Sequence, residues 1–451
     1  MKIENLYKIY LDHPSIQTDT RQLQPGDLFF ALKGPNFNGN AFAGRALELG
    51  AAYVILDETP DTAATTSAVP ADLIPPEVSD QLIFVPDVLD ALQQLALHHR
   101  RRFDIPFIAI TGSNGKTTTK ELIHAVLSTT FTTYTTKGNL NNHIGIPLTI
   151  LSVRPDAQLA VIEMGANHQK EIEGYCQYTL PTHGIITNIG KAHLEGFGGT
   201  EGVRKGKGEL YDFLRSHNGT AFVLTDSPDL PAMSRGIPHV ITYGTQNANF
   251  TGVPDTSRPD LRQSETFLHV DITHGAATGP IRTQLVGDYN LPNVLVAVAV
   301  GKQFGVPDDK IRQSIEAYTP SNSRSQLIRK DGNHIILDAY NANPSSMRAA
   351  IENFARLPGA SLAHKVLILG AMAELGPDSL AEHQAIIDLI AQYPWQQVVL
   401  VGGDFRKLSH PYLSFANSKE AGHWLRGVGL KDAYLLIKGS RSMKMEEVLE
   451  F

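Results

Sequence analysis

Residues 112–119, Gly-Ser-Asn-Gly-Lys-Thr-Thr-Thr, combine glycines, a lysine and hydroxyl side chains at a spacing that suits phosphate binding. In such a loop backbone N–H groups surround the phosphates, Lys116 reaches the β/γ-phosphates and the Thr117 hydroxyl holds Mg²⁺. The usual loop has a glycine five residues before its Gly-Lys pair, where this chain has Ile110. The spacing predicts a shortened phosphate loop, and the alternative is a chance Gly-Lys-Thr sequence. The predicted nucleotide contacts are Gly112, Ser113, Asn114, Gly115, Lys116, Thr117 and Thr118.

Two further polar residues follow predicted strands. Glu163 ends the apolar run 159–162 and could bind Mg²⁺ opposite Thr117, because this ion prefers oxygen ligands. The alternative for Glu163 is to cap the next helix. His193 lies in the loop after the predicted strand 184–187, where the alternative is an ordinary polar surface residue. Strand ends of a parallel sheet meet at one edge, so we expect both residues near the phosphate loop.

Asparagines are concentrated in two loop segments. Asn141 and Asn142 belong to a run with three asparagines in four residues, which suits either amide contacts to a polar ligand or turn formation. Asn290 and Asn293 open an apolar helix, where they could present amides to a purine edge or serve as N-cap residues. Both pairs are therefore candidate binding residues with a structural alternative.

The C-terminal third adds a candidate cation and a candidate carboxylate. Arg324 could meet phosphate, and Asp338, at the end of the predicted strand 334–337, could accept hydrogen bonds from ribose hydroxyls. The basic helix around Lys205 and Lys207 could screen phosphate charge or form a solvated face.

The elements that must position these residues alternate between strand and helix. We predict an α/β chain of three domains: a small α/β domain at 1–103, a central domain at 104–319 with a mostly parallel sheet and a β-rich antiparallel extension at 237–286, and a doubly wound Rossmann-like domain at 320–451. Residues 57–80 are expected to form an exposed loop, and residues 442–450 a helix. The run from His98 to Arg102 is expected to be a solvated helix end rather than a metal site.

Composition limits the class of protein. The 451 residues are 42% hydrophobic and 19% charged, with a net charge of −7, which argues against nucleic acid as a partner. The single cysteine, Cys176, cannot form an internal disulfide and reads as a plain helix residue. The N-terminus lacks the apolar core of a signal peptide and no apolar run reaches about 18 residues, so we expect no membrane span and a cytoplasmic location.

The motifs together resemble those of the Mur ligase family over nearly the whole chain. The matching segments, in the expected order, are Thr-Gly-Ser-Asn-Gly-Lys-Thr-Thr, Glu-Met-Gly-Ala, Asn-Ile-Gly-Lys-Ala-His-Leu-Glu-Gly-Phe-Gly, Gly-Asp-Tyr-Asn-Leu-Pro-Asn and Asp-Ala-Tyr-Asn-Ala-Asn-Pro-Ser-Ser-Met. The last segment most resembles members that join D-alanyl-D-alanine to UDP-N-acetylmuramoyl-tripeptide. The resemblance implies domains for the UDP-substrate, ATP and the amino substrate. It also implies an acyl-phosphate intermediate in peptidoglycan precursor synthesis, with ATP and Mg²⁺ as cofactors. Separately, we expect a monomer.

The resemblance also implies roles for single residues. Lys116, His193 and Lys207 match catalytic positions, and Lys207 matches a lysine that is carbamylated in relatives, with Lys205 as the alternative. Thr117, Glu163 and His193 match Mg²⁺ ligands. The implied nucleotide contacts beyond the loop are Asn290, Asn293, Arg324 and Asp338. The implied substrate contacts are Thr20, Arg21, Asn141, Asn142, Tyr340 and Asn341.

Other functions remain as alternatives. A ligase that adds the third peptide residue or a folylpolyglutamate synthase would share this architecture, although the Asp-Asn-Pro-Arg motif common in the diaminopimelate-adding enzyme is absent. A P-loop switch or motor would hydrolyse ATP without either substrate. A non-catalytic nucleotide-binding module would show no turnover. We also expect three-domain closure to exclude water from the acyl phosphate.

Overall fold

A computed structural model describes residues 1–58, 80–255, 267–321, 323–357 and 361–450. The chain divides into two compact units. The first comprises residues 1–108, 132–164 and 173–181, and the second comprises residues 109–131, 165–172 and those from 182 onward. Most of the loop predicted at 57–80 lies outside the described residues. Among those that are described, no helix is both long and apolar enough to cross a membrane.

Helices and strands alternate along both units. The α-helices of the described residues are α1 (Ile3–Asp12), α2 (Ala43–Glu48), α3 (Val88–Arg100), α4 (Lys116–Leu127), α5 (Gly145–Leu151), α6 (Glu171–Thr179), α7 (Leu194–Phe197), α8 (Thr200–Ser216), α9 (Leu230–Met233), α10 (Leu291–Gln303), α11 (Asp308–Ala317), α12 (Pro344–Arg356), α13 (Ser379–Ile390) and α14 (Ser418–Val428). The strands are β1 (Ile16–Gln17), β2 (Leu28–Phe30), β3 (Lys33–Gly34), β4 (Phe37–Asn38), β5 (Tyr53–Leu56), β6 (Leu82–Phe84), β7 (Phe107–Thr111), β8 (Thr133–Thr135), β9 (Leu159–Glu163), β10 (His183–Ile186), β11 (Thr220–Leu224), β12 (His239–Gly244), β13 (Phe250–Pro254), β14 (Phe267–His274), β15 (Ile281–Val286), β16 (Gln326–Lys330), β17 (Asn333–Asp338), β18 (Lys365–Gly370), β19 (Gln397–Val401), β20 (Leu413–Phe415) and β21 (Tyr434–Lys438).

The first unit contains two groups of parallel strands. Strands β1, β2, β5 and β6 form a parallel sheet in that order. Its apolar core includes Phe29, Val54 and Leu56, which are nearly or fully buried. The start of β7 lies beside β9, which pairs in parallel with β8. The α/β character predicted for the N-terminal domain is confirmed.

The second unit carries the sheet that leads to the phosphate loop. Its strand order is β15-β14-β13-β12-β11-β10, followed by the end of β7. Strands β10 to β13 are parallel, whereas β13, β14 and β15 pair antiparallel. The predicted antiparallel extension is therefore confirmed from β13 onward. It is wrong for β12, which pairs in parallel with both neighbours.

The C-terminal part of the second unit has its own sheet, in the order β16-β17-β21-β18-β19-β20. All its pairs are parallel except β16–β17. The last strand, β21, lies between β17 and β18, so the segments that follow these three strands leave the sheet side by side. The predicted parallel C-terminal domain is confirmed, with strand interiors such as Ile368, Val399 and Ile437 fully buried.

One local prediction is wrong, and another is right only in part. Residues 442–450 do not form an α-helix but two 3-10 segments, Arg441–Met443 and Met445–Leu449. Lys444 separates them with φ +48°, a left-handed conformation that ends regular helix geometry. The end of α3 is solvated only in part: Arg101 and Arg102 are exposed as predicted, but His99 and Arg100 are buried. The Arg100 guanidinium donates hydrogen bonds to the carbonyls of Thr179 and Leu180.

Candidate functional site

The phosphate loop joins β7 to α4, as the sequence predicts. Gly112 (φ +138°) and Gly115 (φ +81°) both adopt conformations that side chains disfavour. A Cβ at Gly112 would lie 2.0 Å from Thr187 Oγ1, and one at Gly115 would lie 2.8 Å from Asn293 Oδ1. Conformation and space therefore both require glycine. Helix α4 begins at Lys116, whose Nζ donates to the Gly112 carbonyl at 2.8 Å.

The segment after β10 fixes this loop in place. Ser113 Oγ donates to the Gly190 carbonyl (3.0 Å) and accepts from the Gly190 N–H (2.9 Å). Asn188 Oδ1 accepts from the Asn114 N–H (3.0 Å), and its Nδ2 donates to the Asn114 carbonyl (3.0 Å). This anchoring role of residues 187–190 was not predicted from the sequence. The unusual Thr-Asn-Ile-Gly composition was the available signal of this anchoring role.

His193 lies three residues further along, in the same unit as the loop. It precedes α7 with φ +53°, and its Nδ1 contacts Glu374 Oε2. The hydrogen bond from His193 lowers the pKa of Glu374. Glu374 itself has φ +61°, and its carbonyl accepts from the Glu195 N–H at 3.3 Å. With Nδ1 engaged, the other ring nitrogen, Nε2, is the one placed to bind a further group.

Lys207 is fully buried in α8. Its Nζ donates to the Ala166 carbonyl at 3.0 Å and lies 4.7 Å from the centre of the Phe197 ring. Burial lowers the pKa of Lys207 well below its usual value, and the nearby charge of Lys116 lowers it further. Lys205, the alternative, is exposed. Of the two lysines, Lys207 is the one whose burial and proximity to Lys116 favour the neutral amine.

Asn290 and Asn293 take part in the packing of the loop. Asn293 Oδ1 accepts from Thr119 Oγ1 (3.0 Å), and its Nδ2 donates to Asn290 Oδ1 (2.9 Å). Asn290 Nδ2 donates to the Val286 carbonyl at 2.9 Å. Asn290 occupies the position before α10, but its side chain makes no capping hydrogen bond. Both amides therefore connect α10 to the start of α4, and their contact with a purine stays a prediction.

The C-terminal candidates lie beside one another. Asp338 Oδ2 binds Lys438 Nζ at 2.6 Å, and its Oδ1 accepts from the Ser325 N–H at 3.2 Å. The Arg324 guanidinium stacks on the Tyr340 ring, with Cζ 3.5 Å from the ring centre. The Asn341 carbonyl accepts from Lys438 Nζ at 3.2 Å. The buried Lys438, which the sequence analysis did not single out, is thus the centre of this group.

The C-terminal part also contacts the loop segments directly. Asn343 caps α12 and donates through Nδ2 to Asn114 Oδ1 at 2.7 Å. Lys191 forms an ion pair with Glu382, and its backbone N–H donates to Ser345 Oγ at 3.0 Å. These partners are far apart in sequence and were missed. Asn343-Pro344 was recognisable as a helix start, but its contact across more than 200 residues was not.

The remaining candidates lie in the first unit. Asn141 Nδ2 donates to Glu163 Oε1 at 2.8 Å. Asn142 Oδ1 accepts from the Ile144 and Gly145 N–H groups, so it has the turn-forming role that was the alternative. Arg21 is exposed and paired with Asp19, whose pKa it lowers to about 2. Thr20 lies beside this pair, partly exposed.

The residues present fit a nucleotide with Mg²⁺. A Cβ at Gly112 or Gly115 would meet Thr187 or Asn293, so the loop backbone can lie this close to its neighbours only with glycine. The Thr117 hydroxyl at the start of α4 is an oxygen ligand of the kind that Mg²⁺ prefers. In the described part of the chain, no group of three or more His, Cys, Asp or Glu side chains could hold a metal ion. This agrees with Mg²⁺ sites of nucleotide enzymes, where phosphates and water complete the coordination.

Comparisons with known proteins agree with this arrangement. Three domain descriptions match in sequence: "Mur ligase family, catalytic domain" over residues 14–100, "Mur ligase middle domain" over residues 110–301 and "Mur ligase, glutamate ligase domain" over residues 323–441. A UDP-N-acetylmuramoyl-tripeptide–D-alanyl-D-alanine ligase from Bacillus subtilis is 34% identical over 96% of this chain and 92% of its own length.

Solved structures give the same result. MurF from Acinetobacter baumannii has a TM-score of 0.82 and 29% identity, covering 97% of this chain and 92% of that one. MurF ligase from Thermotoga maritima in complex with ADP has a TM-score of 0.81 and 25% identity, covering 98% and 97%. Sequence, domain order and fold agree over nearly the whole length, and the chain belongs to the Mur ligase family.

Proposed function

We propose that this chain is an ATP-dependent ligase that joins D-alanyl-D-alanine to UDP-N-acetylmuramoyl-tripeptide and forms ADP and phosphate. The observation that carries the proposal is 34% identity to a ligase of that name over 96% of the chain. The phosphate loop and the C-terminal residues that contact it provide the physical basis. Such a reaction supplies a peptidoglycan precursor, and we propose a cytoplasmic location because its substrates are nucleotides.

The reaction must first bring two anions together. A terminal carboxylate oxygen of the tripeptide attacks the γ-phosphorus of ATP, which forms an acyl phosphate and releases ADP. Lys116, at the start of α4, offsets the repulsion between the two anions. The N–H groups at the start of the same helix add positive potential there. Bound Mg²⁺ stabilises charge on the transferring phosphoryl group, and Thr117, Glu163 and His193 would hold it.

The second step forms the amide bond. The amine of D-alanyl-D-alanine attacks the carbonyl carbon of the acyl phosphate, phosphate leaves, and the nitrogen loses a proton. Water would compete for the same carbon, so the site must exclude it. Contacts such as Asn343–Asn114 and Lys191–Glu382 hold the C-terminal part against the loop and support this role.

Lys207 is proposed to carry a carbamate. A neutral amine adds to CO₂ and loses a proton, which gives a carboxylate-like anion, whereas an ammonium ion cannot react in this way. The burial of Lys207 and its lowered pKa favour the neutral form. Exposed Lys205 lacks this environment. The carbamate would supply further oxygen atoms for metal binding.

The remaining binding roles are proposed domain by domain. We assign UDP-substrate binding to residues 1–103, ATP binding to 104–319 and amino-substrate binding to 320–451. The Arg324–Tyr340 stack supports a role in ligand binding, because a guanidinium held on a ring is preorganised for an anion. Asp338 is held by Lys438, which orients it for a ribose hydroxyl.

A coupled assay tests the function. ADP release is measured with UDP-N-acetylmuramoyl-tripeptide and, in turn, D-alanyl-D-alanine, D-alanine, meso-diaminopimelate, L-lysine and L-glutamate. We expect turnover with the dipeptide and none when either substrate is omitted. ATP hydrolysis without substrates would identify an NTPase instead. Turnover with a different acceptor would identify another ligase of the same architecture, and no turnover under any condition would identify a nucleotide-binding module.

A further inference from the structure

Arg441 stands at the ligand-facing edge of the C-terminal sheet. It belongs to the sequence Lys438-Gly439-Ser440-Arg441, which continues directly from β21. Strand β21 lies between β17 and β18, and all three run parallel. Ligands of parallel sheets bind beyond the carboxyl ends of the strands. Arg441 is therefore at the same edge as Asp338, the last residue of β17, and Tyr340, which follows it.

Three cationic side chains lie at this edge of the sheet, and they differ in how accessible their charge is to a ligand. Lys438 is buried and engaged by Asp338 and by the Asn341 carbonyl. Arg324 lies flat on the Tyr340 ring at 3.5 Å. Arg441 has its Cζ 6.0 Å from the centre of the same ring and its side chain is 66% exposed. Of these three, Arg441 offers the most accessible charge.

The contacts that Arg441 makes within the protein contribute little to the stability of the fold. Its Nη1 donates to Glu446 at 2.8 Å, and exposed ion pairs of this kind contribute at most about 1 kcal/mol. The pair engages one corner of a guanidinium that has five N–H donors. Glu446 therefore orients the group, and the remaining donors form a fork that matches a carboxylate.

We infer that Arg441 binds the C-terminal carboxylate of the incoming dipeptide, with the Tyr340 ring beside it as a packing surface. This inference rests on the proposed function. The dipeptide must present its amine to the acyl phosphate while its own carboxylate is kept away from the reacting centre. A guanidinium at the edge of the amino-substrate domain fixes that orientation and selects acceptors that end in a free carboxylate.

The test compares D-alanyl-D-alanine with its C-terminal amide in steady-state assays. For the wild type we expect kcat/KM to be about 10 to 100 times higher for the free acid, since a hydrogen-bonded charge is lost in the amide. In Arg441→Gln this preference should fall close to one, through a raised KM for the free dipeptide. The KM values for ATP and for the UDP-substrate should stay within about twofold.

Lys444→Gln is the matched control, because Lys444 is exposed on the same segment and makes only a long contact of 3.9 Å with Glu447. It should keep the full preference for the free acid. If Arg441→Gln prefers the free acid over the amide as strongly as the wild type does, the inference is wrong. It is also wrong if the substitution raises the KM for ATP instead of the KM for the dipeptide. If the wild type uses neither acceptor while ATP and the UDP-substrate are present, the proposed function fails instead.

Discussion

Lys116 and Lys207 lie in different surroundings, and these surroundings favour a different chemical role for each lysine. Lys116 is partly exposed, and its Nζ donates to carbonyls of the phosphate loop. Lys207 is enclosed beside Phe197 and Ala166, and the cost of burying an ammonium ion shifts it toward the neutral amine. We therefore propose that Lys116 provides positive charge for phosphate and that Lys207 is the nucleophile toward CO₂.

Lys116→Ala should reduce turnover about 100-fold or more, because it removes a preorganised positive charge from the phosphoryl-transfer step. The fold should persist, since Lys116 is partly exposed and its hydrogen bonds to the Gly112 and Ser113 carbonyls are local to the phosphate loop. ADP release and thermal unfolding measure both effects. Lys419→Ala, at an exposed position, is the control. Turnover at the wild-type rate would contradict the assigned site.

Lys207→Ala should remove turnover, and formate should restore part of it by supplying a small carboxylate to the space that the side chain leaves. Lys205→Ala should keep turnover within about twofold, since an exposed side chain rarely contributes more. ¹³C NMR after equilibration with ¹³C-bicarbonate should show a carbamate signal in wild type and in Lys205→Ala. A signal that persists in Lys207→Ala would refute this assignment.

The sequence could locate the phosphate loop because its chemistry is local: glycines, lysine and threonine lie within eight residues. It could not distinguish Lys207 from Lys205, because their difference is burial by distant side chains. The His193–Glu374 contact was equally hidden, since it joins residues 181 positions apart in the chain. A local sequence pattern predicts a motif or a strand, whereas the contact partners and the protonation state of a side chain depend on tertiary packing.

At the scale of the element, strand β10 begins with a histidine held among aromatic rings. The His183 ring lies 5.2 Å from that of Phe304 and 6.3 Å from that of Phe222, measured between centroids. Burial lowers the pKa of His183 to about 4 from its usual 6.5. Protonation of this ring is therefore unfavourable in the folded chain near neutral pH.

His183 should make stability depend on pH. Between about pH 4 and pH 6.5 the unfolded chain binds a proton at this position and the folded chain does not, so the free energy of unfolding falls as the pH falls through this window. From pH 7 to pH 4, wild type should lose roughly 2–3 kcal/mol more than His183→Leu. Urea unfolding at several pH values measures this. His239→Gln, at an exposed position in β12, should behave as wild type, and parallel pH curves for wild type and His183→Leu would contradict the prediction.

Helices and strands were predicted well where the local sequence pattern alone determines them. Helix α12, with Asn343 as its cap and Pro344 at its first position, has the predicted bounds 344–356. The helix predicted at 442–450 failed because Lys444 takes a left-handed conformation that its sequence does not announce. The run of histidines and arginines at the end of α3 suggested exposure to solvent. Arg100, however, is buried, and its Cζ lies 3.9 Å from the centre of the Phe107 ring.

At the scale of the whole molecule, function depends on contacts between segments distant in the chain. Within the second unit, the loop segments 112–116 and 188–195 meet residues 343–345, 374 and 382 of the C-terminal part. Two of these contacts are ion pairs made by Glu374 and Glu382. They join the residues proposed for phosphoryl transfer to the part proposed to bind the amine, so they should control whether the acyl phosphate meets the amine or water.

The double variant Glu374→Gln/Glu382→Gln should uncouple ATP use from ligation. Loss of both carboxylate charges weakens the contacts with His193 and Lys191, and water then reaches the acyl phosphate. We expect the ratio of ADP formed to ligated product to rise from one to about two or more, with the KM for ATP nearly unchanged. The ratio is measured by quantifying both products in one reaction.

A control must change charge in the same region without touching these contacts. Glu352→Gln/Asp388→Asn does so, because Glu352 pairs with Arg348 and Arg356 along α12, and Asp388 accepts a hydrogen bond from Gln384 within α13. This variant should keep a ratio of one. If Glu374→Gln/Glu382→Gln also keeps a ratio of one while kcat falls, the two glutamates position reacting groups but do not exclude water. Exclusion would then depend on the neutral contacts, Asn343–Asn114 and Ser345–Lys191.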